Sequence, residues 1–237
     1  RGELHLSILI ETMRREGYEL QVSRPEVIVK EIDGVECEPF ERVRIDTPEE
    51  YQGSIIQALS ERKGDMLDME ITGNGQARLV FLVPARGLIG FTTEFMSMTR
   101  GYGIMNHTFD QYMPMVKGTI GGRSRGALIS MDQGSVTSYA MGYVQERGVL
   151  FVEAGTEVYG GMIIGEHSRD NDLTVNVTKA KQQTNVRSSN KDSTSVLNAS
   201  KILSLEESLE FLGDDEYMEV TPESIRLRKQ ILDKAMR

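Results

Sequence analysis

The sequence predicts an α+β chain of two folded modules, one over residues 34–115 that alternates strands with helices and a β-rich one over residues 116–237. Three observations predict it. Between Glu36 and Pro114 the apolar residues switch repeatedly between a period of two and a period near 3.6, the signatures of strand and helix. From Gly118 onward, short apolar runs are separated by turns rich in glycine and aspartate, with few helical stretches. Hydrophobic residues make up 39% of the 237, enough for a sizeable core.

Residues 2–16 carry Leu6, Leu9, Ile10 and Met13 at helical spacing, Arg14 and Arg15 fall in the last turn, and Gly17 supplies a stop. Tyr18–Val22 and Val27–Ile32 read as strands interrupted by Pro25. This stretch, residues 1–33, reads as the tail of a domain that begins upstream, so the chain is expected to be a fragment of something longer. In the next module Val43 and Ile45 alternate with Arg42 and Arg44 in a half-buried strand, and Pro48 opens a helix with Tyr51, Ile55, Ile56 and Leu59 on one face. Leu67, Met69 and Ile71 alternate with Asp68 and Glu70, and Asn74-Gly75 suits a tight hairpin turn. Leu79–Val83 is a continuous apolar run, expected to be a central strand buried on both faces. A second helix after Pro84 carries Leu88, Phe91, Phe95 and Met98, and a strand follows near Ile104–Tyr112. The order β-α-β-β-α-β is the split ferredoxin-like arrangement.

The last module begins with the glycine-rich turn Gly118–Gly126. Strands are expected at Ala127–Met131, Val149–Val152, Glu157–Tyr159, Met162–Glu166 and Leu173–Val177, with a helix over Val136–Arg147 bearing Tyr139, Met141 and Val144. An extended run through Leu203 precedes a short helix capped by Ser204, with Glu207 completing a capping box. A basic segment after Pro222 is expected to end in a helix over Lys229–Met236.

Composition narrows the function. One cysteine, Cys37, excludes an internal disulfide and suits a reducing compartment. No apolar run reaches the roughly 20 residues of a membrane helix, so no membrane partner is expected. The three histidines are scattered without metal-ligand spacing, and Asp170 and Asp172 near His167 suit a turn. There is no serine elbow, no cysteine pair and no phosphate-binding G-x-x-x-x-G-K-[ST] loop. The chain by itself is expected to be no enzyme and to hold no metal or cofactor.

The net charge of −9 argues against indiscriminate polyanion binding, and no DNA partner is expected. Its distribution is uneven. Ser204–Glu223 carries eight acids and no base, whereas Thr178–Asp192, TKAKQQTNVRSSNKD, holds Lys179, Lys181, Arg187 and Lys191 with no acid before Asp192. A polar, basic stretch of this length inside a foldable chain is either a solvated insertion or a binding element. As a binding element it suits a phosphate backbone, the cations releasing counterions while Gln182, Gln183 and Asn185 hydrogen-bond to sugars or base edges. Composition alone leaves both readings open. Gly121–Gly126 could add amides and the Arg123 and Arg125 guanidinium forks, or be an exposed hairpin. Arg86–Gly90 could turn helix amides towards an anion, or its glycines could permit close packing of helix on sheet.

Several of these stretches together resemble a known family. RGELHL at Arg1–Leu6 with SRPEV at Ser23–Val27 resembles the end of domain III of elongation factor G-like translational GTPases. PEEYQG at Pro48–Gly53 and PARGLIGF at Pro84–Phe91 resemble their domain V. GGRSRGAL at Gly121–Leu128, TKAKQ at Thr178–Gln182 with Asn185 and Arg187, and VTPESIRLRK at Val220–Lys229 resemble the BipA (TypA) family. The resemblance covers essentially the whole chain. It implies a cytoplasmic ribosome-binding GTPase of stress adaptation and large-subunit assembly, whose GTP and Mg sites belong to N-terminal domains that precede Arg1. It further implies that residues 34–115 face the ribosomal stalk base and that residues 178–192 reach large-subunit rRNA and the A-site tRNA acceptor arm. The alternative reading is a regulatory module that contacts the N-terminal domains of the same chain, or another protein, and controls the GTPase.

Overall fold

The computed structural model describes residues 3–118, 120–180 and 196–237. They form two compact units, Pro25–Gly122 and a second assembled from Arg1–Arg24 with Arg123–Arg237. The chain opens with α1 (Glu3–Arg15) and β1 (Leu20–Ser23), and both belong to the second unit. Residues 1–33, set apart by sequence, are therefore divided between the units. The division follows burial. Ile10 of α1 is buried with Leu205 and Leu209, and β1 pairs antiparallel with Tyr217–Val220.

The Pro25–Gly122 unit contains β2 (Lys30–Ile32), β3 (Val35–Pro48), α2 (Gln52–Glu61), β4 (Asp65–Thr72), β5 (Gln76–Pro84), α3 (Ala85–Leu88), α4 (Phe91–Met98) and β6 (Ile104–Pro114). Its main antiparallel sheet runs β6-β3-β5-β4, with β2 folded back as a hairpin on the start of β3. This is the ferredoxin-like order. Val43, Ile45, Leu79, Phe81 and Val83 from the sheet pack with Ile55, Leu59, Phe91 and Phe95 from the helices. Gly90, at φ 72°, breaks the predicted second helix into α3 and α4.

Two expectations change here. Val80 is only half-buried, so β5 is more covered on the helix side than on the other. The alternation in β4 does not yield burial: Leu67, Met69 and Ile71 are all exposed. β4 lies at the sheet edge, and a register shift between Met66 and Asp68 displaces Leu67 from the pairing.

The second unit continues with β7 (Ala127–Ser130), β8 (Gly134–Ser135), α5 (Ser138–Val144), β9 (Gly148–Leu150), β10 (Glu157–Val158), β11 (Met162–His167), β12 (Leu173–Val175), α6 (Leu205–Phe211), β13 (Glu216–Val220) and β14 (Ile225–Lys229). Among the described residues a seven-stranded sheet runs β1-β13-β14-β11-β7-β12, with β9 also paired to β11. All its pairings are antiparallel except β7 with β12. The two-residue periodicity of β7 and β11 feeds two cores. Ile129 and Ile163 pack with α1 and α6, whereas Leu128 and Ile164 pack with Met141 and Val144 of α5.

The predicted terminal helix is corrected. Residues 225–229 are a strand, and only a 3-10 turn, Lys234–Met236, follows. β13 draws this segment into the sheet by placing Glu219 opposite Arg226 and Glu216 opposite Lys229.

Candidate nucleic-acid interface

α5 is the element on which the basic stretch is mounted. Its N-cap is Thr137, whose hydroxyl accepts from Ala140 N at 3.1 Å and donates to the Lys179 carbonyl at 2.6 Å. The Thr137 amide donates to the Val177 carbonyl at 3.1 Å, and Val177 is buried. At the other end of the helix the Gln145 side-chain amide donates to the Val196 carbonyl at 3.2 Å, and its oxygen accepts from Asn198 N at 2.9 Å. Val177 and Leu197 both pack into the core that holds Met141 and Val144. One seven-residue helix thus pins the chain just before residue 181 and just after residue 195.

Of the sequence-predicted contacts on this stretch, Lys179 is described and exposed, and its carbonyl is held on α5. Lys181, Gln182, Gln183, Asn185, Arg187 and Lys191 lie outside the described residues.

Arg123 and Arg125 part company. Arg123 is committed to internal partners, which corrects the expectation that its guanidinium is offered to a phosphate. It donates to both carboxylate oxygens of Glu216, at 2.9 and 2.8 Å, and to the Phe211 and Arg125 carbonyls, at 2.9 and 2.6 Å. Its guanidinium also lies 4.2 Å from the centre of the Phe211 ring. The physical reason is Glu216, a fully buried carboxylate that cannot remain ionised without such partners. Lys229, 3% exposed, completes the network with Glu216, Asp172 and Asp215. Burial acts to raise the Glu216 carboxyl, but Arg123 and then Lys229 outweigh it and hold the group below the usual carboxylate range. Burial likewise acts to lower the Lys229 amine, and Asp172 and Glu216 reverse it. Arg125 is exposed.

The glycine-rich turn is also turned inward. A Cβ on Gly126 would meet the Asn171 carbonyl oxygen at 2.0 Å, so only glycine permits that approach. Gly126 N donates to the Arg169 carbonyl, and Ala127 N donates to the Asp172 carboxylate, leaving neither amide for an anion. The Arg86–Gly90 turn follows its packing alternative. Arg86 donates to the buried Glu38 at 2.6 Å, and a Cβ on Gly87 would meet the Arg62 carbonyl at 2.9 Å.

His167 is buried with Nδ1 on the Asn171 carbonyl, and His107 is paired with Glu41. Among the described residues no group of three or more His, Cys, Asp or Glu is placed to hold a metal, and no helix is long and apolar enough to cross a membrane. Sequence reasoning missed one feature of α5. Tyr139, named from sequence with Met141 and Val144, is only half-buried, and Tyr143 is 61% exposed. Their rings stand edge to face at 5.1 Å, and the Tyr143 hydroxyl donates to that of Tyr139 at 3.3 Å. The i, i+4 spacing was the available signal.

Residues 35–120 match the family described as "Elongation factor G C-terminus", which sets the class of the first unit. Residues 125–234 match the "TypA/BipA C-terminal domain". The chain is 67% identical over 234 residues to "Large ribosomal subunit assembly factor BipA" of Bacillus subtilis, covering 99% of this chain and 38% of that protein. It is 53% identical over 232 residues to the proteins of the same name from Haemophilus influenzae and Escherichia coli, again spanning 38% of their length. The chain belongs to the TypA/BipA family.

Proposed function

We propose that this chain is a ribosome-binding module that contacts RNA through the stretch mounted on α5. The observation that carries the reading is the double anchorage of that stretch. Thr137 and Gln145 hold its two ends on one buried-face helix, and its sequence supplies four cations and one acid. A folded base carrying a basic, amide-rich stretch suits contact with phosphates and unpaired bases. The relatives named as large ribosomal subunit assembly factors support the ribosome as partner; on this reading large-subunit rRNA is the main contact, with the A-site tRNA acceptor arm and the stalk base as further ones. Lys179, Lys181, Arg187 and Lys191 take phosphates, Gln182, Gln183 and Asn185 take sugars or base edges, and Arg125 lends support. Arg123 is left out because its donors are used internally. GTP and Mg chemistry falls to the remaining length of the family's proteins, and the module serves it in the cytoplasm during large-subunit assembly and stress adaptation.

Replacing Lys179, Lys181, Arg187 and Lys191 with alanine is expected to weaken binding to large ribosomal subunits. It should also flatten the salt dependence, the log–log slope falling by about 0.7–0.9 for each phosphate no longer neutralised. Co-sedimentation across a salt series measures both. An unchanged slope would sink the assignment.

A second reading, contact with protein, draws on the Pro25–Gly122 unit. Met66, Leu67, Met69 and Ile71 form an exposed apolar row on the edge strand β4, which a neighbouring domain or protein could cover. It predicts that substituting these four residues, and not the lysines, weakens binding to the partner.

A further inference from the structure

We propose that Tyr139 and Tyr143 form a stacking platform for an unpaired RNA base. The inference rests on the RNA-binding reading above and deepens it, by naming the group that α5 itself presents to the ligand.

α5 has a divided surface. Ala140, Met141 and Val144 are buried and tie it to the core, so its orientation is set from below. Tyr139 and Tyr143 stand one turn apart on the outward side, and neither belongs to the core packed against that helix. Each ring restrains the other: they meet edge to face at 5.1 Å, and the hydroxyls are joined at 3.3 Å. An aromatic side chain held in place and left 61% exposed offers a flat apolar face at little further entropic cost.

The surroundings choose the occupant. The helix that carries the rings also carries both ends of a stretch with four cations, and exposed Lys179 is held directly by the Thr137 anchor. Cations for the backbone and aromatic faces for the bases are the two components of single-strand recognition. Glu146, exposed beyond Tyr143 at the same helix end, limits the platform on that side and disfavours a phosphate there.

The test uses the 237-residue chain and two probes of equal length, a single-stranded RNA and an abasic strand with the same backbone. Wild-type chain should bind the base-bearing strand more tightly. Tyr139→Leu/Tyr143→Leu should bind it at least roughly tenfold more weakly, match wild type on the abasic strand, and retain its salt slope. Tyr139→Phe/Tyr143→Phe should restore base-dependent binding. Because both rings lie outside the core, the melting profile of the leucine variant should match wild type. Equal affinity of the leucine variant and wild type for the base-bearing strand overturns the platform while leaving the RNA reading intact. Absence of binding to either strand by wild type overturns both. Loss of binding to rRNA-free ribosomal protein in the leucine variant, with RNA binding unchanged, would overturn the platform and reassign the tyrosines to a protein surface.

Discussion

Glu216 shows how a single buried carboxylate decides what its neighbours can do. Two guanidinium nitrogens of Arg123 and the amine of Lys229 converge on it, so three segments of the chain are fastened at one point. Removing its charge leaves two cations short of compensation. Glu216→Gln is expected to destabilise the chain by about 3–5 kcal/mol. The pH dependence has a definite sign. The folded carboxyl lies below its ordinary value of 4.5, so its contribution is complete above that value and is lost as pH falls through the lower, folded one. The variant should therefore show a shallower loss of stability below pH 4.5 than wild type, in denaturant titrations over a pH series. Asp172, whose burial is outweighed by Lys229 and the Ala127 amide, retains part of that acid dependence. Sequence placed Arg123 in a glycine-rich turn but could not reveal its partner, because Glu216 lies 93 residues away among eight acids that look alike.

Short helices here depend on their caps. In α6 the Ser204 hydroxyl accepts from Glu207 N at 3.2 Å while the Glu207 carboxylate accepts from Ser204 N at 2.9 Å, the reciprocal box that the sequence predicted. Thr137 does more than cap α5, because the same hydroxyl also holds the Lys179 carbonyl. Thr137→Ala is expected to cost about 1 kcal/mol for the cap and to speed amide exchange at Ala140. Thr137→Ser should restore both, since it keeps the hydroxyl; a serine variant no better than alanine would assign the effect to the methyl group. Local signals identified the Ser204 cap, since a cap is written within four residues. β14 shows the opposite case. From sequence Ile225–Lys229 reads as a basic segment running into a helix, whereas pairing with β13, Glu219 opposite Arg226, makes it a strand.

The two compact units each own their core residues, and the cores share none. Leu79→Ala, at a fully buried site in β5, is expected to destabilise the Pro25–Gly122 unit by about 2–5 kcal/mol. Hydrogen exchange read segment by segment should show reduced protection in β3, β5 and β6; a reduction centred instead on β7 and β11 would contradict the separate cores. The ferredoxin-like order was legible because its strands and helices are near neighbours with strong periodicity. The allocation of residues 1–24 was not, because Ile10 and β1 find partners such as Leu205 and Val220 far along the chain. The sequence by itself determined the element types of the first unit, the charge of Thr178–Asp192 and the cap at Ser204, each a property of adjacent residues. Only the tertiary structure decided that Arg123 is committed to Glu216, that the β4 alternation faces solvent, and that α5 grips both ends of the basic stretch. Those outcomes depend on which distant side chain supplies burial or opposite charge, and neighbouring residues carry no record of that.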